Sequence, residues 1–267
     1  METKPILKKS TTNVPDCLEC DHINIKTEHG LQNFIRTIYV YSGLTACYSI
    51  TLAQMMFSIA IQHINLFMIV GFIGSILFGE LLKRQKGKLV KTRNGYKMRH
   101  PPLKFLTYMA AATSFSCMLS PFVGLIHMKD PSILPTASFL TFMLSGMSVL
   151  SSHVLSWMGV QIKIYHNGLI LGLYGLLLIS FFAIISGNPE LNSVAYNMNT
   201  YIGLVIFIGL HMTSTSMAID AYNNANLDYL VISYGFFTGI MNIFIRVVSI
   251  LSGGGGSGNS RRKRRNH

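Results

Sequence analysis

His211 stands three residues before Ser214, inside the run Thr213-Ser214-Thr215-Ser216. On a helix, residues i and i+3 share a face, so an imidazole and its neighbouring hydroxyls would meet where a proton can be taken up and released near neutral pH. The same residues equally suit a hydrogen-bonded packing histidine. Asp220 and Asp228 follow at the ends of two adjoining apolar runs. With His211, Ser214 and Ser216 they form the set of candidate proton-sensing or pore residues.

A second set lies in the polar N-terminal tail, where Cys17 and Cys20 form a C-x-x-C followed by His22. Zinc would need a fourth ligand, and His29 is the local candidate. A reduced, cytosolic tail accounts for these residues better, so neither a metal nor a cofactor is expected. Cys47 and Cys117 fall in apolar runs and read as packing residues. Nucleophile, base and oxyanion donor do not assemble at any workable spacing, so no enzyme is expected.

The elements that must position these residues are membrane helices. Half of the 267 residues are apolar, 12% are charged and the mean hydropathy is +0.41. Seven apolar runs stand out, at about 34–57, 63–82, 103–127, 133–155, 168–186, 200–219 and 229–251. They lack strand-like alternation, and a backbone in lipid must satisfy its own hydrogen bonds, so each is read as a helix. Residues 1–33 form a polar cytosolic tail. Residues 252–267 form a Gly-rich spacer and a basic end.

The net charge of +12 does not indicate nucleic acid, because the cations are clustered beside the apolar runs. Nine of the 22 lysines and arginines lie between Lys83 and Lys104, five before residue 37, and five at Arg261, Arg262, Lys263, Arg264 and Arg265. The 83–104 and 261–265 clusters are expected to meet anionic headgroups. Glu80 is expected to pair with Lys83 or Arg84, and Asn94-Gly95 to form a turn. The positive-inside rule sets the N-terminus and the 83–104 loop in the cytosol. Seven crossings would then carry the basic end to the other side, against the same rule. A re-entrant last segment, with a cytosolic C-terminus, is the preferred resolution; the other is a full crossing with an exceptional tail. Arg246 would snorkel toward the C-terminal surface either way.

Asp130-Pro-Ser-Ile-Leu-Pro135-Thr136-Ala resembles the Asn-Pro-Ser-Ile-Leu-Pro-Thr-Ala signature of the Bax inhibitor-1 family. Pro121 falls where that family carries a mid-helix proline. Asn199-x-Tyr201-x-Gly203-Leu204-Val205 with Gly209 is similar to the start of its sixth helix, and Asp228-Tyr229 to the opening of its last. The resemblance implies an all-α polytopic bundle of six transmembrane helices around a central seventh. It also implies residence in the endoplasmic reticulum, restraint of stress-induced cell death, partners among death-regulating membrane proteins, and a pH-sensitive calcium leak attributed to central acids.

Those acids depart here. The sixth-helix acid of the family falls on Ser214 and its glutamine on Ser216; the seventh-helix acids fall on Gly235 and Gly239. Gly235-x-x-x-Gly239 is a GxxxG that would let helices approach closely. Three functions follow from the resemblance: restraint of cell death with reticulum ion homeostasis, a leak in which His211 replaces the acids, or a non-conducting membrane scaffold.

Overall fold

The computed structural model describes residues 28–92, 95–224 and 226–253. Cys17, Cys20, His22 and the basic run Arg261–Arg265 lie outside the described residues, and His29 falls in the first helical turn. Among the described residues, seven helices are long and apolar enough to cross a membrane. They are α1 (Glu28–Gln62), α2 (Ile64–Arg84), α3 (Pro102–Lys129), α4 (Ile133–Trp157), α5 (His166–Ser186), α6 (Pro189–Asn223) and α7 (Tyr229–Gly253). A short 3-10 turn, Ile162–Tyr165, leads into α5.

Local chemistry explains the boundaries. Pro102 opens α3, where a missing N–H costs nothing. Asn188 caps α6 by accepting from the Glu190 N–H at 2.9 Å, with Pro189 next and an acid in the first turn. This cap starts α6 well before the apolar run at 200, because the segment 189–199 is polar yet fully helical. Asp130 holds the turn into α4, its Oδ1 accepting from the Ser132 N–H at 2.9 Å and the Ser132 hydroxyl at 2.7 Å. These two donors keep its carboxyl below the usual range.

Between α2 and α3 the chain forms an antiparallel hairpin, β1 (Lys88–Thr92) and β2 (Gly95–Arg99), with Thr92 opposite Gly95. Gly95 is therefore the first residue of β2, and Asn94 of the turn expected at Asn94-Gly95 lies outside the described residues.

The core is built on α7. Phe237, Met241, Ile243, Phe244 and Val248 are buried there against Ala46 and Ala53 of α1, Ala112 and Val123 of α3, and Leu134 and Ala137 of α4. α7 packs along α1, α4 and α6 and touches α2 and α3, while α5 packs on α6. Hydroxyls stitch the helices: Thr45 to Tyr108 at 2.7 Å, Ser120 to the Ala53 carbonyl at 2.9 Å, and Ser152 to the Met212 carbonyl at 3.0 Å. The closest backbone approach that a glycine permits is between α2 and α3. A Cβ on Gly71 would sit 2.4 Å from the Met118 backbone nitrogen.

α7 is a single unbroken helix, and it is co-extensive with α3. Asp228 at its start pairs with Lys104 near the start of α3, Phe237 stacks edge-on with Phe115 at 5.5 Å, and the Ser252 carbonyl accepts from Lys129 at the end of α3. The last segment therefore runs alongside α3 from one end of that helix to the other. Gly253 thus ends on the face opposite the hairpin. The start of α1 sits on the hairpin face, where Phe34 and Ile38 cluster with Tyr222 and Leu227.

Candidate functional site

Two polar sites flank α7. The first lies on the hairpin face. Asp228 caps α7, its Oδ1 oriented on the Val231 N–H at 3.4 Å, while Oδ2 accepts from the Lys104 ammonium. Lys104 is fully buried and also donates to the Gln85 carbonyl at 2.6 Å. The Gln85 amide in turn donates to Thr107 at 2.9 Å. A buried lysine is sustained only by such a set of acceptors. His100 completes the cluster: its Nε2 is 3.8 Å from Asp228, and its ring stands edge-on to Tyr229 at 4.6 Å. Burial pushes the imidazole below its ordinary pKa, Asp228 opposes that shift and Lys104 adds to it. One cluster therefore joins α2, the hairpin, α3 and α7.

Lys104 is consequently unlike the rest of the basic loop. Lys83, Arg84, Lys86, Lys88 and Arg99 are exposed, whereas the Lys104 charge is committed inside the protein and is not offered to headgroups. Lys83 pairs with Glu80 at 2.7 Å, as the sequence suggests. Asp220 pairs with Lys163 at 2.5 Å on the exposed end of α6, away from Asp228's cluster.

The second site is inside the bundle, where α6 and α7 run antiparallel. His211 is 3% exposed, and its ring meets Phe236 edge-on at 5.1 Å. Its Nδ1 is buried without a hydrogen-bond partner. A Cβ built on Gly239 would lie 3.1 Å from that nitrogen, so the imidazole occupies the notch that the glycine leaves. The neighbouring hydroxyls turn elsewhere. Thr213 bonds His166 Nδ1 at 2.8 Å, Ser214 donates to the Leu210 carbonyl at 2.7 Å, and Thr215 meets the Tyr39 hydroxyl at 3.2 Å. Ser216 is half-buried on the same helix. The structure thus brings His211 to Gly239 and not to the hydroxyl run.

Gly235 corrects the GxxxG expectation. A Cβ there would meet nothing within 4 Å, so no helix closes on it. The exposed backbone at Gly235 lies on the open side of α7, and the close approach is made by Gly71 instead. His100, Gln85 and His166 escaped the sequence reading. They lie at helix ends, Gln85 after α2, His100 before α3 and His166 at the start of α5, where polar residues are ordinary, and only the folded contacts give them neighbours. Among the described residues, no three His, Cys, Asp or Glu side chains converge as metal ligands would.

An unbroken central helix, ion-paired at one end and packed among other helices of membrane-spanning length, defines a polytopic α-helical membrane protein. The sequence model of the family described as "Inhibitor of apoptosis-promoting Bax1" matches residues 31–256, and the chain belongs to that family. Bax inhibitor 1 of Sus scrofa is 23% identical over 243 residues, covering 90% of this chain and 92% of the pig protein. No solved structure matches the chain.

Proposed function

We propose that this protein acts in the endoplasmic reticulum membrane to restrain stress-induced cell death and to modulate reticulum ion homeostasis, without catalysing a reaction. The family match across the whole helical bundle carries the reading. The exposed cations of the hairpin loop and Lys163 share a face with the start of α1, which supports a cytosolic N-terminus. The end-to-end course of α7 supports a C-terminus on the lumenal side, in place of the cytosolic one expected from charge alone. Exposed Lys83, Arg84, Lys86, Lys88 and Arg99 would rest on anionic headgroups, and death-regulating membrane proteins are the partners in view. Expression in cells under reticulum stress, with fractionation and survival scored together, tests the proposal. Residence in the plasma membrane, or survival equal to that of untransfected cells, overturns it.

His211 favours a second reading, a pH-sensitive calcium or proton leak. A buried imidazole with an unpartnered nitrogen stands against the family acid position at Gly239, where a proton can be exchanged without a carboxylate. Vesicles carrying the purified protein and a calcium dye, assayed at two pH values, are expected to leak in a manner that His211→Ala abolishes. Silence at both pH values would leave a non-conducting scaffold, and a leak created by Gly239→Asp alone would show that conduction was lost with the acid.

A further inference from the structure

Arg246 is the one charged side chain set in the middle of an apolar stretch of α7, and its contacts are unlike those of Lys104. The guanidinium lies over the Phe207 ring, 4.3 Å from its centroid. One amino group donates to Asn199 Oδ1 at 3.1 Å, and the other is 3.4 Å from the Asn242 carbonyl. Nε is buried with no partner. Gly203 makes the room: a Cβ there would lie 2.5 Å from Nε. Among the described residues no carboxylate comes within 4 Å of this group. Asp130, on the same bundle face, is occupied by Ser132. A guanidinium has five N–H donors, and here only two are engaged, both by neutral oxygens.

A full positive charge at this depth calls for an anion. The planar fork matches two oxygens of one oxyanion, and the Asn199 amide carries an N–H2 group beside the oxygen that already holds Arg246. Arg246 Cα is about 10 Å of helix short of Gly253, its side chain is half-buried, and the amino group on Asn199 is the one directed toward that end of α7. Either a lipid headgroup at that membrane face or a soluble ion can therefore reach it. We propose that Arg246 and Asn199, floored by Phe207 and Gly203, form a binding site for a phosphate oxyanion between α6 and α7.

The test uses the full chain in uncharged detergent, alongside a chain in which Arg261, Arg262, Lys263, Arg264 and Arg265 are glutamine, so that the tail does not supply the signal. One arm titrates inorganic phosphate against chloride at matched ionic strength. The other titrates dioctanoyl phosphatidic acid against dioctanoyl phosphatidylcholine. A saturable rise in melting temperature is expected in the first arm for a soluble anion, or in the second for a lipid. Arg246→Gln should weaken the apparent affinity at least about tenfold, with Arg246→Lys between the two. Asn199→Asp supplies an internal carboxylate to the guanidinium, so it should raise the melting temperature without ligand and abolish the response. Three results overturn the site: no saturable response in either arm, a response lost with the tail alone, or one that survives both Arg246→Gln and Asn199→Asp.

Discussion

The two halves of α7 handle charge in opposite ways. At its start, Asp228 is joined to a lysine with no exposed surface, and both charges of that pair are partnered. In its second half, Arg246 has an aromatic ring and two amide oxygens but no carboxylate. Between them His211 fills the Gly239 notch with one nitrogen unsatisfied. The first arrangement fixes where α7 begins relative to α3 and the hairpin. The second leaves capacity for something that binds. A satisfied ion pair positions; an unsatisfied charge recruits.

Breaking the satisfied end should have the largest effect. Asp228→Asn leaves the Lys104 ammonium buried opposite a neutral amide, and removing one partner of a buried pair typically costs about 3–5 kcal/mol. Its thermal melting in detergent should fall far below that of Arg246→Gln, which removes a charge with no ionic partner. Replacing both partners, as in Lys104→Met with Asp228→Leu, should recover much of the loss. An equal drop for Asp228→Asn and Arg246→Gln would erase the contrast between the two halves.

The middle of the helix is sharpened by its two glycines. Gly239→Leu drives a side chain into the His211 imidazole, and overpacking of this kind costs about 1–3 kcal/mol. Adding His211→Ala should return part of it, since the obstacle is a side chain and not backbone. Gly235→Ala meets open space and should raise stability by up to about 1 kcal/mol through helix propensity. Equal destabilisation at both positions would restore the close-packed GxxxG.

Much of the fold is legible in composition: apolar runs of helical length and clustered cations indicate a membrane bundle before any contact is seen. The 130–140 signature and the 199–251 pattern identify the family because they combine proline, glycine and asparagine at fixed spacing. The site is less legible. That His211 faces Gly239 and not the hydroxyl run depends on how α6 and α7 are rotated against each other, which no periodicity within either helix specifies. Lys104 reads as one more cation of a basic loop, since its burial is decided by residues far along the chain, at Gln85 and Asp228. The hairpin is hidden for a related reason: ten strand residues in a cationic loop carry little apolar alternation.

The hairpin-face cluster also predicts a pH response. His100 has a folded-state pKa below its ordinary value of about 6.5, so the unfolded chain binds more protons in the interval between the two. Its contribution is complete above about pH 6.5 and is lost as pH falls through the folded value. The melting temperature of the native chain should therefore decline on acidification more steeply than that of His100→Gln, with the two profiles converging at low pH. Profiles parallel throughout would show that the ring is solvated and contributes nothing to the cluster.

The smallest effect belongs to an ion pair that resembles Lys104–Asp228 only in sequence terms. Lys163 and Asp220 are 2.5 Å apart, but their side chains retain 59% and 41% exposure, so water solvates both ions when the pair is broken. Exposed pairs contribute about 0.2–1 kcal/mol and are screened by salt. Asp220→Asn should lower the melting temperature slightly at low ionic strength and not at all near 0.5 M salt, roughly where the screening length is shorter than the spacing between neighbouring surface charges. Asp228→Asn should keep its full penalty at the same salt, because the Lys104 ammonium has no solvent to screen it. Salt sensitivity, more than the size of either loss, separates an acid that decorates the end of α6 from the one that anchors α7.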